Sequence, residues 1–370
     1  MMKTKIAFTV LILLCVLFIL PSCSGKKYRI ALVTDVSEVD GASVSRYAWE
    51  GAVSYAEKRD VSCAYYKPSN SDSDTLYDTA LKAVTGGAEI VILPGKMFEN
   101  VCYRLQNDYP DVCFVLLDGQ CRDASSGQTY IAENTACVVF EEKDAGFAVG
   151  YALVSDGMTA IGFLGMSEDC CAGFLQGADK AASERDLTVN YEVYFAKDYE
   201  SSETLKEKAE EMLKDGVDVI IAEGEGTLKP VTDAAKNKNG RVVATYIDKR
   251  TVSERIITSA VKNYAYVTNR LVTAFFEGGF SAYSGKATVY GMQNGGTGLP
   301  TSVGSDSNGN AFDRFSTFDA AAYREFTAKA SSGSYGVANG TGIGKADADI
   351  TAMLGLKNSV YGFPTEETEN

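Results

Sequence analysis

The chain has 370 residues, a formal net charge of −14 and no histidine. So acidic a chain repels nucleic acid and anionic lipid, which makes both poor partners. The missing imidazole excludes Ser-His-Asp and Cys-His catalysis and histidine-ligated metal sites, and no residue pattern calls for a cofactor.

Lys3 and Lys5 precede an apolar run from Ile6 to Leu20, broken only by Thr9, which leads into Leu20-Pro21-Ser22-Cys23. That run falls short of the roughly 20 apolar residues that span a bilayer and has the layout of a secretory signal, predicted here over residues 1–22. A cysteine at the cleavage junction resembles a bacterial lipobox, in which Cys23 carries the lipid and residues 23–27 form a tether. The alternative is an ordinary signal with a cysteine there by chance, since Pro21 is unusual at its position. Seven further cysteines remain once Cys15 and Cys23 are set aside. Several sit in apolar runs, and none has CxxC spacing, so they read as small core hydrophobes. Cys102 and Cys121 are spaced to allow a bridge that sequence alone does not establish.

In chain order, Tyr28 to Thr34 reads as a buried strand ending at Asp35, and Tyr47 to Lys58 as an amphipathic helix. Val61 to Tyr66 is a strand, Thr75 to Val84 a helix, Ala88 to Leu93 a strand, Phe98 to Asp108 a helix and Val112 to Leu117 a strand ending at Asp118. Strict alternation of this kind means βαβ units and a parallel sheet. The pattern restarts with a helix at Lys143 to Val154, then Ala160 to Leu164 (strand), Ala172 to Ser183 (helix) and Val189 to Phe195 (strand). Glu203 to Lys214 (helix), Val217 to Ala222 (strand), Leu228 to Lys236 (helix) and Arg241 to Ile247 (strand) follow, the last reaching Asp248.

The expected fold is therefore α/β, with two doubly wound parallel-sheet lobes joined by a multi-strand hinge. The first lobe is predicted over 28–142 plus about 250–284, and the second over 143–249 plus about 285–338. Residues 339–370, glycine-rich and then acidic, read as partly ordered decoration followed by disorder. In open parallel sheets, ligands sit beyond the carboxyl ends of the strands. The polar or glycine residues at those ends are Asp35, Gly95, Asp118, Gly165, Glu223 and Asp248.

Several segments, in this order, carry a resemblance to a known family: Ala31-Leu32-Val33-Thr34-Asp35, Tyr109 to Phe114, Val139 to Tyr151, Ile161 to Gly165, Gly173 to Ala178, Gly216 to Ile220, Thr258 to Lys262 and Tyr290 to Gly296. Together they resemble the basic membrane protein family of lipoproteins, which includes purine-nucleoside receptors of type I periplasmic binding protein fold. The resemblance implies a ligand held by Asp35, Asp118, Asp248 and Lys262, with carboxylates accepting from a vicinal diol and the lysine donating to its oxygens. It also implies aromatic rings around a base. The chain departs from the family there, because its Asp-Lys-Ser-Phe-Asn run is Gly41-Ala42-Ser43-Val44-Ser45, placing Val44 and Ser45 where a ring and an amide stand. Phe195, or its neighbour Tyr194, matches the second ring, and Gly224 belongs to a glycine loop that here carries Glu223 and Glu225.

Each of these residues has a plainer reading. The aspartates are favoured helix N-caps, Lys262 is compatible with a surface charge, Trp49 lies on an apolar helix face, and Cys170-Cys171 suits packing. Dinucleotide binding is excluded because the first βα turn has no glycine and no GxGxxG is complete. The expected function is that of a lipid-anchored, monomeric binding protein that captures a small nucleoside-like molecule and hands it to an ABC transporter permease, with no catalytic role. The alternative is a sensory or structural surface lipoprotein that binds a sugar-like ligand or none.

Overall fold

The computed structural model describes residues 27–197, 200–302, 309–345 and 347–363. Cys23 and the expected signal lie outside the described residues, and no helix among those residues is long and apolar enough to cross a membrane.

The first sheet begins with β1 (Ile30–Val33), α1 (Val44–Arg59), β2 (Cys63–Tyr66), α2 (Ser73–Thr85), β3 (Ile90–Pro94) and α3 (Glu99–Asp108). It continues through β4 (Cys113–Leu117) and β5 (Thr135–Phe140). Alternate residues of β1 serve opposite faces: Ile30 and Leu32 join a cluster under α1, while Ala31 and Val33 join one under α2 and α3. That is the period of two expected of a strand buried on both sides.

The chain then crosses into a second sheet. Its elements are α4 (Glu142–Ser155), β6 (Ala160–Gly165), α5 (Glu168–Arg185), β7 (Val189–Phe195), α6 (Ser202–Asp215), β8 (Val219–Ala222), α7 (Glu225–Lys238), β9 (Arg241–Tyr246) and β10 (Ile256–Lys262). After β10 it returns to the first lobe, where α8 (Tyr264–Phe276) lies on α1 and β11 (Lys286–Tyr290) pairs with β5. A third crossing leads to β12 (Thr297–Gly298), antiparallel to β10, and then to α9 (Ala320–Ser331). The strand orders are β11-β5-β4-β3-β1-β2 and β12-β10-β9-β8-β6-β7-β13, the last being a short strand near the end of the chain, β13 (Ser359–Tyr361).

Two boundaries differ from those read in the sequence. The segment near 250–284 was expected in the first lobe, yet β10 is a strand of the second sheet, and β11, expected in the second lobe, is an edge strand of the first. Burial explains both: β10 has six buried residues in seven and needs an interior slot, whereas β11 has one in five and suits an edge.

The tail also does more than expected. Gly340 donates its N–H to Asp169, and Gly342 and Gly344 donate theirs to Glu168, tying the glycine-rich stretch to the start of α5. The chain then forms α10 (Ile350–Leu354) and β13 (Ser359–Tyr361), which extends the second sheet beside β7. Helix starts were read late as well. Helix α1 begins at Val44 because the Ser43 hydroxyl caps Arg46 N–H, and α5 at Glu168 because Ser167 caps Cys170 N–H.

Glycine explains the tightest contact of the second lobe. A Cβ on Gly146 or Gly150 of α4 would lie 2.2 or 1.9 Å from the carbonyl oxygens of Cys170 or Phe174. One on Gly173 or Gly177 of α5 would lie 1.8 or 2.1 Å from those of Lys143 or Phe147. The two backbones touch, and only glycine fits. Cys170 and Cys171 are buried in this core, all seven described cysteines are free thiols, and Trp49 packs edge-on to Tyr65 in the first lobe. Cys121 lies 3.6 Å, sulfur to sulfur, from Cys137.

Candidate functional site

Six described non-glycine residues have positive φ. Asp60, Asp186 and Asn239 are left-handed caps closing α1, α5 and α7, an ordinary use of that conformation. The other three are Val36 (φ 88°), Asp118 (φ 63°) and Tyr246 (φ 70°). Val36 and Asp118 follow β1 and β4, and Tyr246 ends β9, so all three stand at carboxyl ends of strands. Strained backbone persists where the surroundings over-determine it, and it concentrates at ligand clamps. Here it marks the edges where the two sheets face one another.

Lys262, the last residue of β10, lies at the centre. Its side chain is 4% exposed, and its Nζ is 2.8 Å from Asp118 Oδ2 and 2.9 Å from Glu142 Oε1. The ammonium also sits 4.7 Å from the ring centroid of Tyr246. Burial works against its charge, but the two carboxylates outweigh that and hold its pKa above the usual lysine value. Tyr264 adds a hydroxyl bond to Asp118 at 3.0 Å. Because Asp118 belongs to the first lobe and Lys262 to the second sheet, this buried pair spans the cleft. Glu142 accepts from Ser167 Oγ at 2.6 Å. Burial opposes its charge too; Lys262 and the Ser167 hydroxyl prevail, and its pKa falls below the ordinary glutamate value.

Glu223, just past β8, is 2% exposed. One oxygen accepts the N–H groups of Met166 and Ser167 at 2.7 and 2.9 Å, and the other accepts the Tyr246 hydroxyl at 2.6 Å. The carboxylate thus seats at the N-terminus of α5, where the helix favours negative charge. Gly165 makes room for it, since a Cβ there would lie 2.4 Å from that of Glu223. Burial, then Glu223, push the Tyr246 phenol far above its ordinary pKa.

Asp35 accepts from the hydroxyls of Ser45 (2.7 Å) and Ser37, and Ser45 is fully buried beneath it. Asp35 is thus tied to the start of α1 rather than capping it; Ser43 does that. Val44 packs against the first-lobe core as the first residue of α1. Asp248 is buried, its carboxylate accepting the Arg250 N–H at 3.1 Å and its carbonyl the Tyr47 hydroxyl at 3.5 Å. Next to it, Lys249 donates to the Ala42 carbonyl at 3.0 Å and lies 3.1 Å from Glu225, a second link between lobes. Gly224 caps α7 at φ 99° and donates its N–H to Thr245 Oγ1 at 3.1 Å.

Phe195 is not brought to this cluster by any described contact. Its ring lies 5.8 Å from that of Phe163, and it lines a cavity of about 460 Å³ formed with Tyr191, Ile343 and Thr351, against the tail. Around the centre, three spaces differ in size. One of about 10 Å³ lies among Glu142, Cys170, Glu223, Tyr246 and Lys262, room for at most a single water. One of about 360 Å³ opens beside Lys96, Glu99, Asp118, Gln120 and Glu142. One of about 390 Å³ lies at the hinge beside Tyr47, Asp248 and Tyr264. Glu142, Tyr246, Tyr264 and Lys249 were not among the residues read from the sequence. Glu142 follows β5, a strand not singled out there, and the contorted backbone of Tyr246 leaves no sequence signature.

Two mainly parallel sheets, three crossings and polar strand ends facing each other define the type I periplasmic binding protein fold. The chain belongs to the ABC transporter substrate-binding protein PnrA-like (Bmp) family, whose profile matches residues 28–322. It is 26% identical over 226 residues to the CD4+ T-cell-stimulating antigen of Listeria innocua, and equally to that of Listeria monocytogenes. The aligned stretch covers 58% of this chain and 59% of those relatives, under two thirds of their length. Among solved structures it is similar in fold to an ABC transporter solute-binding protein from Conexibacter woesei, with TM-score 0.64, 16% identity, and coverage of 85% of this chain and 99% of that one. A solute-binding protein from Aeropyrum pernix gives 0.61 and 17%, covering 89% and 96%. A transcriptional activator of the comK gene from Bacillus halodurans gives 0.61 and 23%, covering 82% and 95%.

Proposed function

We propose that this protein is the lipid-anchored substrate-binding component of an ABC importer, and that it closes two lobes over a small hydroxylated ligand, nucleosides first. The observation that carries the reading is the buried Lys262 held between Asp118 of one lobe and Glu142 of the other. A vicinal diol offers hydroxyls to the two carboxylates and oxygens to the ammonium, so a ligand of that chemistry exchanges with the ion pairs as the hinge moves. Asp35 and Asp248 supply further acceptors on either side. The proposed role is capture and delivery, with hydroxyl acceptors and a cation gathered at the cleft. Cys23 is the proposed lipid attachment point, and the permease and the ligand are the proposed partners of a monomer.

A second reading is a surface lipoprotein of the same fold that senses a sugar-like ligand or binds none. It is favoured by Val44 in place of a stacking ring and by the 10 Å³ left beside Tyr246. A thermal-shift screen of the chain starting after Cys23, against nucleosides, bases, sugars and amino acids, separates the two. A ligand at 100 times its Kd adds about 2.7 kcal/mol. Stabilisation by a nucleoside that is lost in Asp118→Ala supports the first reading, and no stabilisation by anything supports the second. Anchoring is tested separately by palmitate incorporation, which Cys23→Ser is expected to abolish.

A further inference from the structure

We infer that Tyr246 and Glu223 set which ligands the cleft admits, confining it to uncharged, hydroxyl-rich molecules and excluding phosphorylated or carboxylated ones. This deepens the solute-binding reading above and rests on it. The inference stands on placement. Tyr246 holds a left-handed backbone at φ 70° that an aromatic residue rarely adopts, and this directs its ring onto Lys262 and its hydroxyl onto Glu223. Tyr246 is the central residue of a tight γ-turn at the end of β9, in which the Ile247 N–H donates to the Thr245 carbonyl at 2.9 Å. What the conformation achieves is a wall of protein where the second lobe meets the cleft, with only about 10 Å³ left behind it.

Glu223 supplies the charge selection. The N-terminus of an 18-residue helix, with two N–H groups converging, is a ready seat for an anionic group of a ligand. Here both N–H groups, those of Met166 and Ser167, are already taken by the chain's own carboxylate. A phosphate or carboxylate entering the cleft finds that seat filled and meets Glu142 and Asp118 as well, with Lys262 already shared between those two. Hydroxyl groups meet acceptors instead. Two spaces lie within the range that accepts a sugar or a nucleoside: one of about 360 Å³, lined by Glu99, Asp118, Glu141, Glu142 and Asp169 against Lys96 and Arg122, and one of about 390 Å³ beside Asp248 and Lys262.

The test is calorimetric titration of the soluble chain and of Glu223→Gln, Tyr246→Phe and Tyr246→Gly with ribose, inosine and inosine 5′-monophosphate. The conservative Phe and Gln variants guard against misfolding of the Gly variant, and melting curves check all three. The wild type is expected to prefer inosine to its monophosphate by about a hundredfold, and Glu223→Gln to shrink that preference by about tenfold or more. Tyr246→Phe is expected to shrink it less, because Glu223 keeps its charge. Tyr246→Gly, which frees both the backbone and the space, is expected to raise affinity for inosine relative to ribose by about tenfold. A gain of inosine binding in Tyr246→Gly from a wild type that binds none also supports the inference. Equal binding of inosine and its monophosphate by the wild type overturns it. So do variants with unchanged preferences, although the solute-binding reading then stands. No binding of any probe by any of the four proteins removes the inference and the hydroxylated-ligand reading together.

Discussion

The two lobes present the same kind of strand ends to the cleft, yet they fill them differently. In the first lobe, Asp35 is held by small hydroxyls and Asp118 borders an open space of about 360 Å³. In the second, Glu223, Tyr246 and Ser167 satisfy one another and leave about 10 Å³. Space is left open around Asp118, whereas around Glu223 the chain itself fills it. The difference teaches that strand-end chemistry tells where a binding site lies, whereas the residues beside it decide how much of the site is available.

The largest effect is expected from removing the residue that joins the two edges. Lys262→Ala leaves Asp118 and Glu142 facing each other without their buried cation, and breaking a buried pair in this way costs about 3–5 kcal/mol. Denaturant unfolding checks it. Lys262→Met, which keeps the packing of the stem, is expected to recover only part of the loss.

Next comes the rigidity of the occupied lobe. Gly173→Ala places a methyl 1.8 Å from the Lys143 carbonyl oxygen, so the helices α4 and α5 must separate, at about 1–3 kcal/mol. Hydrogen exchange is expected to rise in α4 and α5 and to stay unchanged in α1. The matching change in the first lobe is smaller. Ser43→Ala removes the hydroxyl cap of α1 and costs about 1 kcal/mol, read as a lower melting temperature.

The smallest effect is on pH dependence. Glu142 has a pKa below its ordinary 4.5, despite burial, because Lys262 and Ser167 favour its charged form. A carboxyl with a lowered folded-state pKa contributes stability that is complete above the unfolded value and is lost as pH falls through the folded one. The stability difference between the wild type and Glu142→Gln is therefore expected to be steady near neutrality and to shrink below pH 4.5. A difference that grows on acidification would mean that Glu142 is not paired with Lys262 in solution.

Much of this architecture was legible in the sequence, for physical reasons that also mark the limits. Strands such as Ile90–Pro94 and Val219–Ala222 are buried on both faces and read as continuous apolar runs. β11 alternates weakly at an edge, and β13 is three residues at the end of a glycine-rich stretch, so neither stood out. Asp118 and Lys262 were named in one ligand set by the resemblance, and the structure joins them directly across 144 residues of chain. Phe195 was expected near the ligand; its ring lies beside Phe163 and borders a cavity shared with the tail residues Ile343 and Thr351, which have no apolar periodicity of their own. Tyr246 is the clearest omission, because a φ of 70° leaves no mark in composition or spacing.

The account rests on the Asp118–Lys262 pair being the place where the lobes close on a ligand. Titration of inosine into the wild type, Asp118→Ala and Glu277→Ala, the last an exposed surface pair partner, tests this most directly. Saturable binding that Asp118→Ala weakens by about a hundredfold, and Glu277→Ala leaves unchanged, is the predicted result. Equal affinity in all three proteins would contradict it and place the site elsewhere on the molecule.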